Sequence, residues 1–158
     1  MDFDIQIDEL IKNGGVLYDV EGSTPAEVYK NVCTQCAFPE NLTSQSVYAE
    51  LMQREELMST AVGHGIAIPH PRHPLLKEAR NQQIIVAYLK NPIVMNAPDA
   101  KPVYVLFLIL TCSAKVHLQA LSRLAFLFQR DEFRRILESK PNRQQFLQAI
   151  TATLRTRP

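Results

Sequence analysis

The sequence predicts an α/β fold, a mixed β-sheet between helical layers, with elements in the order β-α-α-β-β-β-α-α-α. Three observations carry this expectation. Residues 101–110, KPVYVLFLIL, form an apolar run without polar alternation, the pattern of a central strand buried on both faces. Two amphipathic helical segments precede the β-rich middle of the chain and three follow it, so apolar stripes exist to cover both faces of a sheet. The remaining β-rich runs are short and are bounded by glycine, proline and asparagine.

The elements follow in order. GGVLYDV (residues 14–20) alternates loosely after a Gly-Gly break and reads as a short strand. STPAEVYKNVCTQCAF opens a helix: Ser23 or Thr24 can cap it, Pro25 suits the first turn and Glu27 complements the dipole. Its inner stripe is Val28, Val32 and Cys36, with Tyr29 and Cys33 beside them. PENLTSQSVYAELMQREEL reads as a loop and a second helix capped by Thr43 or Ser44. Val47 and Leu51 mark its buried face, and Arg54 is the next residue on that face. Ile66, Ala67 and Ile68 form a short strand that Pro69 ends. QQIIVAYLK (residues 82–90) and the 101–110 run are strands separated by the loop NPIVMNAPDA. Three helices close the chain, on the stripes Leu121, Leu124, Ala125, Phe128, then Phe133, Ile136, Leu137, then Phe146, Leu147, Ile150, Leu154.

Length and composition bound the function. The 158 residues suit a single domain spanning 1–158 with a core of useful size. Lys plus Arg number 17 against 16 Asp plus Glu, a net +1 that gives no field for nucleic acid or an anionic membrane. The basic residues near the end (Arg134, Arg135, Lys140, Arg143, Arg155, Arg157) read as the solvent face of helices. MDFDIQIDEL carries acids where a secretion leader would be basic, and the longest apolar run is about half of a membrane span. No membrane insertion is expected. Three cysteines without a leader point to reduced thiols and a cytoplasmic location. Cys33 and Cys36 form a C-x-x-C inside a helix, with no second pair to complete a zinc site, so they read as small buried hydrophobes.

Function is concentrated in VGHGIAIPHPRHP (residues 62–74), which holds three of the four histidines. His70 sits where a strand runs out, a rigid support for a reactive side chain. Gly63 and Gly65 permit conformations or close approaches that a side chain would block. The plainest alternative is a turn in which His70 bonds a carbonyl. Metal binding by His64, His70 and His73 would use the spacing H-x5-H-x2-H, which is no standard zinc pattern, and no metal or other cofactor is expected. Hydrolytic acid–base work lacks a paired carboxylate or nucleophile motif. Nucleophilic catalysis by His70 through a phosphoimidazole needs a cation and a second donor for the phosphoryl oxygens. Arg54 and His117 can supply them. Arg54 could instead pair with Glu50, and His117, at the start of a helix, could be a capping residue.

REELMSTAVGHGIAIPH (residues 54–70) resembles the active-site signature of the IIA domains of the bacterial phosphoenolpyruvate-dependent phosphotransferase system, fructose/mannitol class. The shared order is an Arg-Glu pair, Ser-Thr, a Gly-rich turn and a strand ending Ala-hydrophobic-Pro-His. NAPDAKPVYVLFLIL resembles that family's Asp-x-x-Pro-Val strand, and VHLQALSRLAFLF its His-Leu-x-x-Leu-x-x-Leu helix. The resemblance runs from about Val16 to Ile150 and implies a mixed sheet between helical layers. It implies that His70 accepts a phosphoryl group from the phosphohistidine of HPr or a relative, and passes it to an acceptor such as a IIB domain or holds it as a signal to a regulated target. His117 would be the second active-site histidine and Arg54 would neutralise the phosphoryl oxygens.

The sequence departs from the family at Pro71, where a small residue is usual, at Arg72 and His73, and at TCSAKV after the central strand. Two branches of the family fit, transport and nitrogen regulation. The end of the chain soon after the last helix, read as the lack of a fused transport domain, and the spacing of His70 and His117 lean towards regulation. A binding module that has lost phosphotransfer is a third reading, weakened by the presence of Arg54, His70 and His117 together.

Overall fold

In the computed structural model, which describes residues 6–155, the apolar run becomes the middle strand of five. In chain order the strands are β1 (Val16–Val20), β2 (Ala61–Gly63), β3 (Ile66–Ala67), β4 (Gln83–Ile93) and β5 (Val103–Leu110). They lie side by side as β1-β4-β5-β3-β2. β1 runs parallel to β4 and β3 parallel to β5, while β4–β5 and β2–β3 are antiparallel, so the sheet is mixed as expected. On β5, Leu106, Leu108 and Leu110 enter one core and Val105, Phe107 and Ile109 the other. That alternation explains why no polar residue interrupts the strand.

Each face is covered by its own helices. α2 (Pro25–Gln35) and α3 (Ser44–Leu57) supply Val28, Tyr29, Val32, Val47 and Leu51 to the first core. α2 begins as expected, with Thr24 accepting the Glu27 amide and Pro25 in the first turn. Thr43 and Ser46 form a reciprocal capping box on α3. The second face is covered by α1 (Ile7–Gly14), α4 (Ala114–Phe128), α5 (Asp131–Glu138) and α6 (Arg143–Arg155).

Three elements among the described residues are additions to the expected order: α1, β2 and a single 3-10 turn at Ala79–Asn81. α1 follows from Ile7, Leu10 and Ile11, an i, i+3, i+4 stripe fully engaged in the second core. It ends on Gly14, so the first strand starts at Val16 rather than in the Gly-Gly pair. β2 is a three-residue edge strand that folds back on β3. β4 continues to Ile93, into the segment expected to be loop, with its register broken between Tyr88 and Ile93. The terminal stripes are right in period and slightly off in phase. α4 buries Ala120, Leu124, Leu127 and Phe128 while Ala125 is exposed, and Ile136 of α5 is also exposed. Phe133, Leu137, Phe146 and Ile150 are buried as expected.

Among the basic residues near the end, Arg135, Lys140 and Arg143 are exposed. Arg134 is half-buried, pairing with Asp131 and donating to the Phe128 carbonyl (2.6 Å). The Arg155 side chain and Arg157 lie outside the described residues. Cys33 is buried and Cys36 caps the end of α2 half-buried; burial raises their thiol pKa values to about 12 and about 11. Neither is a thiolate near neutrality, as suits core filling. Among the described residues no helix is long and apolar enough to cross a membrane.

The long connection after β3 is tied at several points. The Pro69 carbonyl accepts from the Ile109 amide (3.0 Å), and the Leu76 amide donates to the Thr111 carbonyl (3.2 Å). Glu40 accepts from the amides of Lys77 (2.7 Å) and Glu78 (3.2 Å) and from the Asn81 side chain (2.8 Å).

The junction of α1 with the sheet has no room for a side chain, since a Cβ on Gly14 would lie 2.2 Å from the Ile84 carbonyl oxygen. Gly14→Ala is therefore expected to cost roughly 1–3 kcal/mol by forcing the helix end off β4. Urea unfolding checks this: the midpoint should fall with little change in slope, and an unchanged midpoint would show that the contact yields freely.

Candidate functional site

The site is assembled by two parallel neighbours in the sheet. Ile66 pairs with Val105 and Ala67 with Leu106, so β3 and β5 run side by side in the same direction. The Pro69 carbonyl prolongs the pairing, and His70 follows at the carboxyl end of β3. β5 leads through Thr111 and Cys112 to Ser113, whose hydroxyl caps α4 by accepting the Val116 amide (3.2 Å). The His117 amide bonds the Ser113 carbonyl (3.1 Å) and closes the first turn. Both strands thus deliver an imidazole to the same end of the sheet. The rings of His70 and His117 meet with centroids 4.6 Å apart and planes tilted by 48°.

The proton on His70 can be placed from its partner. Nδ1 lies 2.7 Å from the Ile68 carbonyl oxygen, which only accepts, so Nδ1 carries the hydrogen and Nε2 the lone pair. The local bond anticipated for a plain turn is present, and it leaves the other nitrogen available as a nucleophile.

Arg54, in the last turn of α3, donates through Nη1 to the Met58 carbonyl (2.6 Å). Its charge reaches both imidazoles. Burial depresses the His70 pKa and the Arg54 charge depresses it further, against the raising effects of the Ile68 bond and Glu55. Burial, His70 and Arg54 together hold His117 down at about 4. Both rings are therefore neutral at pH 7, beside a permanent cation.

The turn before His70 is a two-residue hairpin. His64 (φ 57°) and Gly65 (φ 79°) both occupy the left-handed region that such turns require. A Cβ on Gly65 would lie 2.5 Å from Tyr104 Cδ1, so the hairpin can rest on β5 only with glycine there. Asp99 braces it by accepting the amides of His64 (2.8 Å) and Lys101 (3.1 Å). The His64 and His73 side chains are exposed, and the ring contact is between His70 and His117. Pro71 is buried and leaves that contact intact. Arg72, His73 and His117 line a cavity of about 60 Å³ between the proline-rich loop and the start of α4. Among the described residues no group of three or more His, Cys, Asp or Glu side chains is placed to hold a metal ion.

Sequence reasoning assigned no task to Glu55 or Asp99. Asp99 occurs in the Asp-x-x-Pro-Val stretch before β5, which was signal enough to mark it. Glu55 lies four residues beyond Leu51, hence on the inner face of α3, and its carboxylate is fully engaged. It accepts from Tyr29 Oη (2.6 Å), the Thr60 amide (2.9 Å) and Thr60 Oγ1 (2.7 Å).

Residues 9–153 match the family model for the EIIA 2 component of the phosphoenolpyruvate-dependent sugar phosphotransferase system. The chain belongs to this family. It is 31% identical over 150 residues to a nitrogen regulatory protein of Pseudomonas aeruginosa, covering 92% of this chain and 95% of that one. It is 29% identical over 136 residues to the fructose-specific EIIABC component of Bacillus subtilis, a match covering 84% of this EIIA chain but 21% of the larger protein. The crystal structure of the nitrogen regulatory protein IIA-Ntr from Neisseria meningitidis superposes with a TM-score of 0.75 at 28% identity, covering 91% of this chain and 98% of that one.

The depressed histidines make the stability of this EIIA fold sensitive to mild acid. Both titrate lower when folded than when unfolded. In the window between, the unfolded chain binds more protons, so their contribution is favourable at neutrality and is lost on acidification. His117→Gln is expected to make the fall in Tm between about pH 7 and about pH 5 shallower than in wild type. Melting curves across that range test it, and parallel slopes would mean that His117 titrates normally.

Proposed function

We propose that the protein is a phosphocarrier, a single EIIA-type domain over residues 1–158 that works in the cytoplasm as a regulatory, nitrogen-type member of its family. The observation that carries the proposal is the His70 tautomer: Nδ1–H tied to the Ile68 carbonyl, Nε2 unprotonated, and His117 packed against the ring. In the proposed step, the Nε2 lone pair attacks the phosphorus of a phosphohistidine on an HPr-type donor. The new P–N bond forms as the donor's P–N bond breaks, and that electron pair returns to the donor imidazole. His70 keeps its Nδ1 proton, so the phosphorylated ring is cationic and the Ile68 carbonyl stabilises it. Arg54 neutralises the transferring oxygens and His117 supplies a further donor once the added negative charge raises its proton affinity. Donor and product are both phosphohistidines, so positioning and charge neutralisation are the main demands on the site.

The regulatory reading is supported by full-length similarity to the nitrogen regulatory proteins of P. aeruginosa and N. meningitidis. Transport, with a IIB domain as acceptor, is the second reading, supported by the match to the fructose-specific component of B. subtilis.

Incubation with phosphoenolpyruvate, Enzyme I and an HPr-type carrier should add one phosphoryl group of about 80 Da, labile in acid, to wild type and none to His70→Ala. His117→Ala should still take up phosphate but pass it on about 10²-fold more slowly. Intact-protein mass at neutral pH decides the first point, and chase with an acceptor decides the second. Phosphate on His70→Ala would place the nucleophile elsewhere. The rate of uptake should hold below the usual histidine pKa and fall only at lower pH, because protonation of Nε2 removes the lone pair and burial holds that protonation down. A rate that halves at the ordinary value would contradict this.

A further inference from the structure

We propose that Glu55 is a positioning residue for phosphoryl transfer, holding Arg54 and His70 in register through a hydrogen-bonded network with Tyr29 and Thr60. The inference rests on the phosphocarrier reading.

A carboxylate next to an anion-binding arginine is costly at first sight, since it lowers the positive potential that a phosphoryl group needs. Here its charge is absorbed by three donors drawn from two further parts of the fold. Tyr29 of α2 is fully buried, and Thr60, at the entry to β2, is 4% exposed. No buried side-chain nitrogen or oxygen among the described residues lacks a partner, so the network is closed.

From Glu55 two connections lead to the site. One is covalent: Arg54 precedes it in the last turn of α3, so fixing the Glu55 side chain fixes the backbone from which the guanidinium projects. The other runs through hydrogen bonds. The Thr60 carbonyl accepts from the Ile68 amide (3.0 Å), and the Ile68 carbonyl accepts from His70 Nδ1 (2.7 Å). Tyr29, Glu55, Thr60, Ile68 and His70 thus form one continuous series across α2, α3 and the β2–β3 hairpin. The geometry suits a part that sets the distance between guanidinium and imidazole, where misplacement by about 1 Å can cost 10²-fold in rate. Electrostatics agrees: Glu55 raises the proton affinity of His70 while Arg54 and burial lower it. His117 faces the same ring.

The test compares wild type, Glu55→Gln and Tyr29→Phe in full-length protein by two readouts: the rate of phosphoryl uptake from the HPr-type carrier, and the titration of His70 followed by NMR without phosphate. Glu55→Gln should slow uptake about tenfold or more and shift the His70 titration to lower pH, because a negative charge is removed. Tyr29→Phe keeps the carboxylate and the packing and should slow uptake severalfold. A folded Glu55→Gln protein with uptake near wild type, or with an unmoved His70 titration, would overturn the proposal, since a purely structural brace changes Tm alone. Should Glu55→Gln not fold, Tyr29→Phe decides: slowed uptake supports the proposal and wild-type uptake overturns it. Wild type that takes no phosphate would instead overturn the phosphocarrier reading, and this inference with it.

Discussion

The parallel pairing of β3 with β5 is the constraint on which the rest of the site depends. Only parallel neighbours bring two carboxyl ends to one edge of a sheet, and here those ends lead to His70 and to the helix bearing His117. β3 is two residues long, so its own ladder is a weak determinant of register. The register is held from outside the strand: Tyr104 and Val105 donate to the Gly65 carbonyl, Ile109 donates to Pro69, and Asp99 fixes the preceding turn. A slip of one residue would turn Ile66 from the second core towards the first and carry His70 away from His117. The two buried faces of β5 thus enforce, through its neighbour, the position of a half-exposed side chain.

The same packing sets the charge state. His70 and His117 are withdrawn from water enough to favour their neutral forms, and Arg54 reinforces that preference. The group of Arg54, His70 and His117 therefore holds a fixed positive charge and two neutral rings. On the phosphocarrier reading, arrival of a phosphoryl dianion reverses the balance, since every negative oxygen favours protonation of an imidazole beside it. The device needs no moving part: the same burial that keeps Nε2 nucleophilic also strengthens its response to the incoming charge.

Much of this was legible in the sequence, and the failures are physical. His70 was marked by a strand run ending in proline, and His117 by its place after an uninterrupted apolar strand. Periodicity and spacing do not show their contact, which depends on the pairing of segments separated by about forty residues, the two strands lying at 66–67 and 103–110; the family resemblance is what implies that they share a site. The inner face of α3 was read through Leu51 to Arg54, three residues on; the stripe also continues at four, to Glu55, and it is Glu55 whose polar atoms are fully engaged. Ala125 and Ile136 fit their periodic stripes yet face outward, since period alone leaves the phase of a broad apolar face open by one position. α1 is the hardest helix to read, since its buried face of Ile7, Leu10 and Ile11 spans only eight residues interrupted by Asp8 and Glu9. The proline after His70 was a reasonable ground for suspicion. It is accommodated: Pro71 is buried and the contact between the His70 and His117 rings is intact.

On the phosphocarrier reading, the partial occupation of Arg54 by a backbone carbonyl also has a consequence for transfer. Arg54 donates one N–H to the Met58 carbonyl, on a segment whose Leu57 and Met58 side chains are largely exposed. A guanidinium has five N–H donors, so four remain for phosphoryl oxygens or water. A bidentate grip by an unconstrained arginine would stabilise the phosphorylated protein as well as the transition state, and ground-state binding of that kind slows onward transfer. A carrier is better served by an arginine held at its base through Glu55 and at its tip through Met58, whose field is fixed while its capacity to close on the ligand is limited. On the phosphocarrier reading, the restraint on Arg54 would favour transfer in both directions over storage.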